Sequence, residues 1–118
     1  MSDTSTRPAS LSGRLQREPE IRYTREGVAN TRLVVEVTDG DREYLFDVLA
    51  TDDLAENIAL SLTKNMYVTV IGKLVSNVWT DDDGVYHHTV EILATDVGAS
   101  LRRATVDVHN VTVRGVPV

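Results

Sequence analysis

Leu54, Ile58 and Leu62 recur at every fourth position, with Ala55 and Ala59 beside them. That spacing lays one narrow apolar stripe along a helix of about ten residues. Asp53 is placed to cap it, Glu56 completes a capping-box spacing, and Lys64 suits the C-terminal end. No second helix stands out. A chain with one helix in the middle must build the rest of its core from strands. A parallel α/β fold, with helices between most strands, is thereby excluded. A β-sandwich has more strands and no mid-chain helix.

The flanking segments read as strands. Residues 9–15 form a short first one, with Gly13 marking a bulge or bend. Pro19 interrupts, 21–23 extends again, and Arg25-Glu26-Gly27 turns the chain. Residues 28–37 carry Val28, Leu33, Val34, Val35 and Val37, rich in β-branched side chains. Asp39-Gly40 makes a tight turn into 43–50. Residues 67–80 and 85–94 form a hairpin around Asp83-Gly84, with a bend permitted at Gly72. A two-residue turn there places Trp79 opposite His88. A late alternating strand is expected over 105–113. The polar residues 1–8 read as a disordered N-terminal arm and 114–118 as a short C-terminal end. Three strands, a helix and two strands describe an all-β fold with one helix. The expectation is an OB-fold five-stranded antiparallel barrel within a 9–113 domain, plus an extra C-terminal strand.

At 118 residues one domain is the natural count. The absence of Cys excludes a disulfide framework and thiolate metal sites. The apolar runs are too short for a membrane helix, and the N-terminus lacks a signal peptide's apolar stretch. A cytoplasmic protein is expected. The net charge of -6 argues against nucleic-acid binding, but its distribution is uneven. Arg7, Arg14, Arg17, Arg22, Arg25 and Arg32 cluster near the start against Glu18, Glu20 and Glu26. Residues 33–101 hold Arg42, Lys64 and Lys73 against thirteen acids. Each early Arg therefore contacts phosphate or pairs with an acid across strands.

Several stretches carry a family resemblance. They are Leu11-Ser12-Gly13-Arg14-Leu15, 18–24 from Glu18 to Thr24, Gly27-Val28-Ala29-Asn30 and Leu54-Ala55-Glu56-Asn57. Residues 68–74, Trp79-Thr80-Asp81 and 96–105 continue the series in order. Together they resemble bacterial single-stranded DNA-binding proteins (SSB), the last stretch being close to the actinobacterial form. The resemblance implies an OB-fold and sequence-independent binding of single-stranded DNA in replication, recombination or repair. It also implies a homo-oligomer, a tetramer or dimer, associated with the nucleoid. No cofactor, small-molecule substrate or membrane is implied.

Such binding combines bases stacked on aromatic rings with cations along the phosphates. Trp79 sits where the family stacks a base, and Tyr23 and Tyr86 are further candidates. Arg14, Arg22, Arg25, Arg32 and Lys73 are the candidate phosphate contacts, which Arg102 and Arg103 can extend. Leu45, Asp47, Leu49 and Thr51 lie two apart and share a strand face. Many relatives carry aromatics at the positions of Leu45 and Thr51, so weaker binding is expected here. The family also continues into a Gly/Pro-rich linker and an acidic tip. This sequence ends at Val118, so either a tail has been trimmed from it or the form is tailless, and tip-dependent recruitment is not expected from these residues.

Other chemistry finds no support. Asp81-Asp82-Asp83-Gly84 resembles part of a calcium loop, but Trp79 stands where the pattern needs an acid. His87 and His88 face opposite sides of a strand, and His109 is distant in sequence. No catalytic constellation is visible, so no enzyme is expected. The alternative is an SSB-like OB-fold paralogue with weak DNA binding. It would act as a protein-interaction or accessory module through the aliphatic face of Leu45 and Leu49. In the DNA-binding reading Phe46 and 105–113 are the candidate subunit contacts, with the barrel core as the other place for Phe46.

Overall fold

A computed structural model describes residues 3–108 and 111–113. Its elements in chain order are β1 (Asp3–Leu15), β2 (Glu20–Tyr23), β3 (Ala29–Asp39), β4 (Arg42–Thr51), α1 (Asp52–Ser61), β5 (Tyr67–Thr80) and β6 (Tyr86–Ala99). The strands hydrogen-bond in the order β1-β5-β6-β4-β3-β2. β3 also pairs back to β1 through Arg14 opposite Glu36 and Leu15 opposite Val35, so five strands close into a ring. This is the expected OB-fold arrangement, with β2 added outside β3. The pairings are antiparallel except one: Val48 and Leu49 of β4 run parallel to Ile92 and Leu93 of β6.

Alternation decides which residues face the interior. Leu15, Leu33, Val35, Val48, Val68, Val70 and Ile92 are all buried in one core. Helix α1 adds Ala55 and Ile58 to it, its C-cap Leu62 is buried beside them and Leu54 packs against it, the stripe the spacing predicts. Phe46 packs partly buried against this core. Thr31 is fully buried, and its hydroxyl donates to the carbonyl of Ala55 at 2.8 Å, tying β3 to α1. Thr31→Val keeps the shape and loses that bond. A fall in stability of about 1 kcal/mol is expected in urea unfolding, and an unchanged midpoint would count against the bond.

The helix begins differently from expectation. β4 runs straight into it, Thr51 is the N-cap, and no side chain caps the terminus. Asp52 takes a left-handed backbone (φ 58°) to make the sharp entry, so the N-cap falls at Thr51 rather than at the expected Asp53. Lys64 lies beyond the last helical turn, where its N–H donates to Glu18 Oε1 at 3.0 Å.

Both chain ends also depart from the sequence reading. The expected disordered arm over 1–8 is, from Asp3 onward, the first half of β1, paired with β5 from Val78 to Lys73. Its own polarity gives no signal for this, because the pairing partner lies some seventy residues away. The late strand expected over 105–113 does not form among the described residues, and His109 and Asn110 lie outside them, as does 114–118. Residues 104–107 instead line a groove with Leu54, Ile58 and Leu62. Val106, Val108, Val111 and Val113 remain exposed.

Between Ile71 and Gly72 the β5–β6 register slips by one residue, a β-bulge. Thr95 is the extra residue, and its hydroxyl donates to the Ile71 carbonyl at 3.1 Å. Such a bulge bends a strand pair. On one side of it β5 and β6 belong to the barrel wall. On the other they still flank β4 through Ile92 and Leu93, and from Val75 and Glu91 onward they continue with β1 as a three-stranded arm that carries Trp79.

Candidate nucleic-acid interface

The residues opposite to the core-facing set form the outer surface of the sheet. Across it the register gives one row: Arg32 opposite Leu49, Leu49 beside Leu93, and Leu93 opposite Lys73. Adjacent strands lie about 4.8 Å apart, so three spacings separate Arg32 from Lys73 by about 14 Å. Two cations therefore flank an aliphatic strip. Arg22 joins them, because its partner Asn30 is two residues from Arg32 on the same face. Glu20, Arg22, Asn30, Arg32 and Leu49 together line a shallow cleft.

Acids hold some of these cations. Arg32 is 2.8 Å from Glu91 Oε2, and Arg22 forms an ion pair with Glu20. Both Arg side chains stay largely exposed, and exposed pairs of this kind contribute little energy. Either guanidinium can exchange its partner for phosphate at small cost. Lys73 is exposed and makes no ion pair within the described residues.

The other candidates are dispersed. Arg14 lies at the β1–β3 junction, 3.1 Å from Glu36 Oε2 and 2.5 Å from Asn65 Oδ1. It lines a small pocket with Arg102 and Arg103, separate from the Arg32–Lys73 row. Arg25 is exposed in the turn that Thr24 and Val28 close, with Gly27 left-handed at φ 86°. Tyr23 pairs with Ala29, on the face opposite to Arg22, yet is well exposed. Trp79 shares the outer face with Lys73, six residues further along β5, or about 20 Å at the usual strand rise. Tyr86 lies opposite Thr80, so it projects from the other side of the arm. The structure thus joins Arg22, Arg32, Lys73 and Trp79 on one surface and separates Arg14, Arg25, Tyr23 and Tyr86 from it.

The outer face also bears Leu45, Asp47 and Thr51, in register with Glu36, Val34 and Asn30. The surface expected to offer bases an aromatic platform there is aliphatic and acidic.

The sequence signature of the Single-strand binding protein family spans residues 7–100, from the arm half of β1 to the end of β6. The chain belongs to this family. It is 37% identical over 101 residues to the single-stranded DNA-binding protein of Deinococcus radiodurans, covering 78% of this chain and 33% of that one. It is 34% identical over 117 residues to single-stranded DNA-binding protein 2 of Streptomyces coelicolor, covering 90% and 59%. With the single-stranded DNA-binding protein of Mycobacterium leprae the identity is 30% over 118 residues, covering 90% and 70%. The chain therefore spans about a third and about three fifths of the first two relatives.

Within this single-strand binding domain, three contributors to the surface escaped sequence reasoning: Leu93, Glu91 and His87. Leu93 and Glu91 are placed by the β4–β6 and β5–β6 registers, which no local signal reveals. His87, not His88, lies opposite Trp79. The hairpin loop has three residues, because Asp81 and Val85 still pair and Gly84 is left-handed at φ 80°. A left-handed Gly at the end of a three-residue loop is a common hairpin solution. The sequence hint was Asp81, whose carboxylate accepts the N–H groups of Asp83 and Val85 and fixes the longer loop.

Proposed function

We propose that this chain binds single-stranded DNA without sequence preference, across the outer face from Arg22 to Lys73 and along the arm to Trp79. The row Arg32–Leu49–Leu93–Lys73 carries this reading. Cations at both ends suit a phosphate chain, and the aliphatic strip between them suits bases turned toward the protein. Family membership and relatives named as single-stranded DNA-binding proteins support the same activity. Replication, recombination and repair, at the nucleoid, are the settings in which such a strand becomes available. The working form is a homo-oligomer, a tetramer or dimer. The exposed Val106, Val108, Val111 and Val113 support that assembly, and light scattering that returns only a monomer would count against it.

The direct test titrates the protein with oligo(dT) and follows Trp79, the sole Trp. Quenching that weakens with salt is the expected result. No quenching at low salt, with no gel shift, overturns the reading. Lys73→Ala isolates one phosphate contact. It is expected to weaken binding equally for all base compositions and to flatten the log–log salt slope by about 0.7. An unchanged slope would remove Lys73 from the interface.

A further inference from the structure

The tip of the arm holds an arrangement that phosphate contact and base stacking do not themselves require. Asp81 serves three groups at once. Its Oδ1 accepts the N–H groups of Asp83 and Val85, both at 2.9 Å, and its Oδ2 lies 2.7 Å from Nε2 of His87. The His87 ring in turn stacks on Trp79, with centroids 5.0 Å apart and planes 16° from parallel. The indole is thus fixed by a chain of contacts that runs back to the hairpin loop.

The neighbours of His87 are few. Asp81 touches it, and Asp82 and Asp83 form the loop beyond. The same face carries Asn77 and Lys73 along β5, and Thr89 and Glu91 along β6. Tyr86 and His88 occupy the other face, where His88 Nε2 meets Ser76 Oγ at 2.7 Å. The bond from His87, followed by that from Val85, holds the Asp81 carboxyl below the usual carboxylate value. Its contribution to the hairpin is complete above the titration of an unfolded Asp and is lost only as pH falls through the lowered folded value.

An indole has two faces, and His87 occupies one of them. We infer that His87, held by Asp81, is the positioning residue that presents the remaining face of Trp79 to a base, and that its protonation strengthens single-stranded DNA binding. The inference rests on the DNA-binding reading above. A ring already fixed in place loses less side-chain freedom when a base stacks on it. An imidazolium beside the indole adds a cation–π contact and one more positive charge near the phosphates.

The test compares wild-type protein with His87→Ala and His87→Phe from about pH 8 to about pH 5, the interval in which histidine changes charge. Affinity is read by anisotropy of labelled oligo(dT), and Trp79 emission is read without DNA. His87→Phe keeps a ring against the indole but no charge, and it guards against loss of structure in the Ala variant. Wild-type affinity is expected to rise as pH falls while free-protein emission is quenched. At high pH the Phe variant should bind within about threefold of wild type and the Ala variant about tenfold more weakly. Both should lack the His87-dependent rise and quenching. Equal affinities and one shared pH profile for all three proteins overturn the inference. Wild-type protein that leaves oligo(dT) unbound at every pH overturns the binding reading itself, and this one with it.

Discussion

Gly72→Val is expected to destabilise the protein by about 3 kcal/mol or more, or to prevent folding. The cause is backbone, which cannot step aside as a side chain can. A Cβ at Gly72 would stand 2.1 Å from the Leu93 carbonyl oxygen and 2.9 Å from the Ala94 Cα. Gly72 pairs with Ala94 at the bulge, next to the residues through which β6 meets β4. Relieving the contact means separating the strands there. That would disturb Lys73 and Leu93, half of the proposed phosphate row. A domain of this size has only about 5–15 kcal/mol of stability to lose. The measurement is urea unfolding followed through Trp79 emission. Gly98→Ala is the control, since nothing lies within 4 Å of a Cβ there, and it should change stability by less than about 0.5 kcal/mol. A Gly72→Val protein with a wild-type midpoint would mean that the strands are further apart at the bulge than described.

Trp79→Ala is expected to weaken single-stranded DNA binding by about fivefold to about 150-fold, with little effect on stability. Stacking of one base on an aromatic ring is worth about 1–3 kcal/mol, which corresponds to that range. The effect should be large for this family member because the outer face of β4 offers Leu45 and Thr51 rather than rings. Fewer platforms leave more of the affinity on the one that remains. Trp79 stands on the arm, away from the core residues, so its loss should leave the unfolding midpoint nearly unchanged. Since the variant has no Trp, binding is read by anisotropy of labelled oligo(dT). Trp79→Phe should recover much of the loss. Wild-type affinity in Trp79→Ala would confine binding to the Arg22–Lys73 face and exclude the arm.

Much of this fold was legible in local patterns. The apolar spacing of Leu54, Ile58 and Leu62 located α1, and the β-branched run from Val28 to Val37 located β3. Both signals are periodicities within a dozen residues, which depend on no partner. The alternation of Leu45, Asp47, Leu49 and Thr51 likewise marked one face of β4. The order of such elements was enough to indicate the barrel, and the stretches that resemble the SSB family indicated the family.

What local pattern could not supply was pairing. Residues 3–8 are polar and look unstructured alone, yet they form a strand because β5 offers them an edge. The alternating 105–113 segment has the stronger strand signal but is left unpaired where the structure describes it. One extra loop residue moved His87, rather than His88, under Trp79. Arg14 and Arg32 look equivalent in the sequence. The closure of the sheet gave Arg14 to Glu36 and Asn65, and set Arg32 in a row with Lys73 some forty residues away. The residue types of the proposed nucleic-acid interface were therefore visible from the start. Which of them share a surface was decided by strand register, because register joins residues whose separation along the chain carries no trace of their contact.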